Sequence, residues 1–253
     1  MQAVVVHGGP GAPGSVTPLA QHLGQHIGVL EPFQTAYSVD GQVEELHQVI
    51  DECCDAPIML IGWSWGACLS ILTAARHPEQ VQKLILVGCG PLREEHALGI
   101  WETRMSRLDE RGQVSAAYLA NVVSGDVPGN QAVALAALEL TLRACDTYAT
   151  LEQAEPAVTA DADIYAAVWP QATALRQAGG FEAALSQVRC PVLAIHGDYD
   201  PHPIDGIRIP LADTCPTARI ITLARCGHTP WDERHARDAF FEVLERETRS
   251  TRQ

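Results

Sequence analysis

Gly62-Trp63-Ser64-Trp65-Gly66 sets a serine between two glycines in the spacing G-x-S-x-G. It follows a short apolar run at 58–61 and opens a helical pattern at 65–76. A tight strand-to-helix turn there lifts the Ser64 hydroxyl out of the backbone. The start of the helix favours negative charge developing beside it. A side chain at either glycine would collide with neighbouring chain. The plain alternative is a strand–turn–helix with Ser64 as a cap. A hydroxyl acts as a nucleophile only with a base to take its proton and a third group to orient that base. His228, in Cys226-Gly227-His228-Thr229-Pro230-Trp231, is the candidate base. Three carboxylates, Asp198, Asp200 and Asp205, compete as its partner.

Acyl chemistry also needs donors for an oxyanion. His7-Gly8-Gly9-Pro10-Gly11 is a Gly-rich turn after the first apolar run. It can supply one backbone N–H from Gly8 or Gly9, with Trp65 supplying the other. Losing one such donor typically costs about 3–4 kcal/mol of transition-state stabilisation. The turn lacks the Gly-Lys-Ser/Thr ending of a phosphate loop and is not G-x-G-x-x-G. His7 reads as a residue that fixes the turn by hydrogen bonding.

These residues need a scaffold that brings them to one edge. Short apolar runs at 3–6, 29–31, 58–61 and 83–87 read as strands, with helices at 17–27, 40–53 and 65–76 between them. Ser15 or Thr17 would cap the first helix. The β-α-β-α order implies a parallel sheet covered on both faces by helices. From 91 to 187 no strand pattern appears; helices are expected at 95–111, 113–124, 130–145 and 163–178, with breaks at 125–129 and 179–180. Strands return at 192–195 and 219–223, and a last helix spans 232–246, leaving residues 249–253 disordered. The expected organisation is a core of residues 1–90 and 188–253 and a helical lid at 91–187. Ser64, the carboxylates and His228 all follow strands, so all lie at the same edge of the sheet.

The chain has 253 residues, 47% of them hydrophobic and 19% charged, which is ordinary globular usage and enough to bury a core. Its net charge of −14 disfavours nucleic acid or an anionic membrane as partner. The first residues show no charged and apolar leader, and no long apolar run suits a membrane span. The eight cysteines are scattered, without C-x-x-C or zinc spacing, and are expected to be reduced thiols in a cytoplasmic protein. Cys68 and Cys89 read as small buried residues. The lid segment carries a net −7, which either attracts an amine-bearing substrate or is a solvated face. Trp63 and Trp65 flank Ser64. Trp101, Tyr118, Tyr148, Tyr165 and Trp169 are candidates for lining an apolar pocket, with ordinary lid packing as the alternative.

The order Ser64, Asp200, His228 resembles that of α/β-hydrolases, over nearly the whole chain except the helical insertion. The resemblance implies an α/β-hydrolase fold with about six parallel strands and a lid after the fourth. In that family the acid is the third residue after a glycine, which selects Asp200 after Gly197, with Asp198 in reserve. His-Gly-Gly-Pro-Gly with Ser-Trp-Gly is similar to the prolyl iminopeptidase group, whose helical cap holds a substrate ammonium with acidic residues. The chain departs from that group by starting directly at the strand before the Gly-rich turn. It also departs in its Trp-Glu signature, since Trp169 is followed by Pro170 and Trp101-Glu102 lies early in the insertion. The implied activity is hydrolysis of small carboxyl esters or amides through Ser64, His228 and Asp200, with an acyl-enzyme and no metal or organic cofactor. The substrate would be a small molecule or short peptide, held in part by Trp63, Trp101 and Trp169. Activity should fall below roughly pH 6–7, where His228 gains a proton. A proline-type aminopeptidase, a C–C bond hydrolase or lactonase, and a non-catalytic binding module are the alternatives.

Overall fold

The computed structural model describes residues 1–152 and 158–250. The chain begins with β1 (Ala3–Val6), α1 (Thr17–Gly24), β2 (Val29–Leu30), α2 (Val39–Cys53), β3 (Ile58–Trp63), α3 (Trp65–Arg76) and β4 (Val81–Val87). Helices α4 (Ile100–Ser106), α5 (Glu110–Ser124), α6 (Gln131–Asp146), α7 (Ala162–Gln177) and α8 (Gly180–Leu185) follow. The chain then returns through β5 (Val192–Gly197), α9 (Asp205–Thr214), β6 (Arg219–Leu223) and α10 (Arg237–Ser250). All six strands are parallel, in the order β2-β1-β3-β4-β5-β6. This is the α/β-hydrolase architecture expected from the sequence, with the helical insertion after the fourth strand.

Strand residues point alternately to the two faces, and each face is apolar. Val4, Val6, Ile58, Leu60, Leu84, Leu86 and Ala194 pack with helices α2, α3, α8 and α9. Val5, Met59, Ile61, Ile85, Val87 and Ile195 pack on the other face with α1 and α10. Burial of each such Val, Leu or Ile contributes about 1.5–3 kcal/mol. Continuous apolar runs flanked by helices are what a doubly covered parallel sheet requires, which is why these strands were legible. From the insertion, Ile164, Val168 and Ala172 of α7 and Phe181 and Leu185 of α8 join the α3 side of this core.

The helices differ from expectation in several places. The helix expected at 95–111 is a 3-10 turn at Glu94–His96, then α4, then the start of α5. The Asp109 side chain accepts from the Gly112 N–H and starts α5 afresh. Neither Ser15 nor Thr17 caps α1: Ser15 Oγ accepts from the Gly8 N–H, and the Thr17 hydroxyl donates to Glu31. The pair at 179–180 does not simply break the chain; Gly179 turns in the left-handed region (φ 72°) and α8 begins at once. Helix α9 was not foreseen, because Pro203 and Pro210 mask its apolar face, Ile207 and Leu211. Pro230–Asp232 forms a 3-10 turn and α10 starts only at Arg237, running on through Arg249. The rest of the tail expected to be disordered, 251–253, lies outside the described residues.

Candidate active site

Strand β3 ends at Trp63 and α3 begins at Trp65, so Ser64 alone makes the turn. Its φ of 56° and ψ of −119° are strained for a residue with a side chain. The turn is this tight because both glycines let backbones meet: a Cβ at Gly62 would sit 2.2 Å from the Gly66 carbonyl oxygen, and one at Gly66 would sit 2.3 Å from that of Val6. The collision argued from the sequence is therefore with the chain's own β1 and α3 backbone.

Ser64 Oγ lies 3.0 Å from His228 Nε2, and His228 Nδ1 lies 2.8 Å from Asp200 Oδ2. The structure thus brings Ser64, His228 and Asp200 into one hydrogen-bonded chain at the C-terminal ends of β3, β5 and β6. Of the competing carboxylates, Asp198 Oδ1 accepts from the Cys226 N–H at 3.1 Å, and Asp205 pairs with Arg208 on α9. Burial opposes ionisation of Asp200, whose side chain is fully buried. The charges of His228 and His202 and their hydrogen bonds override this and hold its carboxyl well below the usual range. Burial likewise disfavours the imidazolium of His228, but the adjoining Asp200 carboxylate dominates and raises its pKa above the ordinary value. The loop is fixed by the Trp63 indole, which donates to the His228 carbonyl at 2.9 Å, and by the His228 N–H, which donates to the Asp146 carbonyl at 2.8 Å.

Trp65 opens α3, so its N–H has no acceptor inside the helix. The Gly8 N–H is already given to Ser15 Oγ at 3.3 Å. Gly9 lines the cavity beside Ser64. His7 is fully buried and bridges the turn: Nδ1 is 2.8 Å from the Gly8 carbonyl, and Nε2 accepts from the Gln34 N–H.

A cavity of about 720 Å³ opens over Ser64 between the sheet edge and α4, α6 and α7. Trp63, Trp65, Trp101, Tyr165 and Trp169 line it, the last two with stacked rings 5.7 Å apart. Tyr118 lines a surface depression with Val114, and Tyr148 packs on Tyr199 and His235, so neither reaches the cavity. Unforeseen in the sequence are its charged residues, since helix spacing alone does not say which lid face meets Ser64. Arg104 is held by both oxygens of Asp146, and Arg143 by Asp232. Glu139 accepts the Ala160 N–H, and burial raises its pKa. His202, also on the wall, stands two residues after Asp200 and carries no signal of its own. Among the described residues two groups could present metal ligands: His22 of α1, His26 just beyond it and Glu245 of α10; and Asp200, His202 and His228. In the second, both Asp200 oxygens are engaged by the imidazoles, and an ion would have to break those bonds.

The family model described as alpha/beta hydrolase fold matches residues 4–234. The pimeloyl-[acyl-carrier protein] methyl ester esterase of Aromatoleum aromaticum is 30% identical over 191 residues, covering 68% of this chain and 67% of that protein. The enzyme of the same name from Nitrosomonas europaea is 25% identical over 197 residues, covering 75% of this chain and 71% of that protein. The crystal structure of VinJ superimposes with a TM-score of 0.68 at 17% identity, covering 98% of this chain and 90% of that one, a likeness of fold.

Proposed function

The chain belongs to the alpha/beta hydrolase fold family, and from that premise we propose that it is a serine hydrolase of carboxyl esters, with Ser64 as nucleophile. The observation that carries the reading is the unbroken chain Ser64–His228–Asp200 at 3.0 and 2.8 Å, opening into a cavity. Two relatives named as methyl ester esterases make a methyl ester of a medium-length acyl chain the first substrate to try. A cavity of about 720 Å³ is of the size that holds a small organic ligand.

His228 takes the Ser64 proton as Oγ attacks the ester carbonyl. The N–H groups of Gly9 and Trp65 receive the oxyanion. His228 then protonates the leaving alcohol, and water releases the acyl group. Trp63, Trp101 and Trp169 give the acyl chain apolar walls. The same residues suit an amide, and an aminopeptidase is the rival reading. It requires a carboxylate to hold the substrate ammonium, yet Asp146 and Asp232 are already paired with Arg104 and Arg143. Among the described residues of the cavity wall, Glu139 would have to serve alone. A C–C bond hydrolase, a lactonase and a binding module have no observation in their favour.

The test is hydrolysis of methyl and p-nitrophenyl acyl esters beside proline p-nitroanilide, with Ser64→Ala as control. Ester turnover lost in the variant is expected. Turnover of proline p-nitroanilide alone would replace the reading with the aminopeptidase, and ester turnover that survives Ser64→Ala would end it.

A further inference from the structure

Asp200 carries two imidazoles, and only His228 has been given work. His202 Nδ1 lies 2.7 Å from Asp200 Oδ1, and the His202 backbone N–H donates to the same oxygen at 3.0 Å. An ionised carboxylate only accepts, so both rings carry their proton on Nδ1 and leave Nε2 as a lone-pair acceptor. On His228 that acceptor faces Ser64. On His202 it has no protein partner among the described residues, while the ring lines the cavity with a side chain 13% exposed. The two ring centroids are 4.5 Å apart and inclined by 36°. The backbone N–H already braces Asp200, so that task does not require a ring on the cavity wall. Burial, only partly offset by Asp200, pushes the His202 imidazole down to about 4, so it stays neutral and accepting at pH 7.

We infer that His202 is a second catalytic imidazole, whose Nε2 holds the water that His228 activates to release the acyl-enzyme. A water has two protons to donate. Two acceptors each about 2.8 Å from its oxygen stand roughly 4–5 Å apart, and the two rings side by side on Asp200 have centroids 4.5 Å apart. In the step, the water oxygen bonds to the acyl carbon and passes one proton to His228 Nε2. The carbonyl electrons move to the oxyanion and return as the bond to Ser64 Oγ breaks. Oγ recovers the proton from His228. The second water proton, held by His202 during attack, leaves on the product acid, which then ionises. Acylation uses no water and does not involve His202.

This inference rests on the serine-hydrolase reading, and its test separates the two. His202→Gln and His202→Asn are mixed with a p-nitrophenyl ester in a stopped-flow instrument, with rates taken per site titrated by a fluorophosphonate. Unfolded protein then does not enter, and the second variant covers failure of the first. The expected result is an acylation rate within about threefold of the parent and a turnover lowered roughly 10–100-fold, because a water held by one acceptor is poorly aligned. A burst of p-nitrophenol and an acyl-enzyme visible by mass spectrometry accompany it. If acylation and deacylation fall together, His202 only braces Asp200, and if neither changes it has no part; either result overturns the inference. Loss of reaction with the fluorophosphonate in the parent enzyme would instead overturn the serine-hydrolase reading.

Discussion

In the proposed reaction His228 must be neutral to accept the Ser64 proton, and its environment sets where that holds. Burial favours the neutral ring, but the Asp200 carboxylate outweighs burial and raises the pKa above the ordinary 6.5. A raised pKa means the active form is lost earlier as pH falls. The free-enzyme kcat/KM should therefore rise with pH through a single midpoint above 6.5. A rate flat from pH 5 to 8 would contradict His228 as base. Asp200→Asn removes the charge that raises it, so the midpoint should move down while kcat falls by about 10⁴, as in other serine triads. A midpoint unmoved in that variant would show that Asp200 does not set the affinity of His228 for its proton.

At the scale of elements, the loop bearing His228 is clamped to the end of α6. Glu233 is fully buried, and its carboxylate accepts the N–H groups of Gly227, Tyr148 and Ala149 at 2.7, 2.7 and 2.8 Å. The Asp146 carbonyl accepts the His228 N–H, and the Leu151 N–H donates to the Asp232 carbonyl. The insertion thus holds the His228 loop in place as well as covering the cavity. Glu233→Ala would orphan the buried Gly227 donor and two part-buried ones, at about 1–3 kcal/mol for each left unsatisfied. A loss near 3 kcal/mol corresponds to a Tm lower by roughly 6–12 °C in a chain of this size. Thermal melts read this directly, and kcat should drop in the folded fraction because Gly227 precedes His228. A Tm within about 1 °C of the parent would show that the clamp carries no stability.

Over the whole molecule, −14 is unevenly used. Within the insertion Glu94 pairs with Arg176, Asp146 with Arg104 and Glu182 with Arg93, so part of its acidity is structural. The cavity itself mixes Arg104, Arg143 and Arg176 with Glu139, Asp146 and Asp232. The field outside should steer cations while the pocket stays balanced. A choline ester should therefore lose kcat/KM severalfold between low and high salt, and a neutral methyl ester of the same acyl chain should not. Equal salt dependence of the two would remove electrostatic steering. Among the described residues no helix is long and apolar enough to cross a membrane.

The sequence by itself determined the parallel sheet and the strand ends that carry Ser64, Asp200 and His228. Apolar runs, glycine spacing and chain order are local signals, and burial of a doubly covered sheet demands them. It also told which glycines had to be bare, because the turn at Ser64 is built from neighbouring residues. Only the tertiary structure decided what meets across the cavity. The resemblance selects Asp200 over Asp198, and the structure adds direction: both follow β5, Asp200 meets the His228 ring and Asp198 accepts from the Cys226 N–H. The tertiary structure drew Arg104, Glu139 and Trp101 to the cavity over Ser64 and left Tyr118 and Tyr148 outside, because the rotation of the inserted helices and the path of the loop after α6 are set by packing. It put a second imidazole on Asp200 and a buried Glu233 beneath His228. Glu233 meets donors as much as 85 residues away, a meeting no local pattern encodes, whereas His202 stands two residues from Asp200.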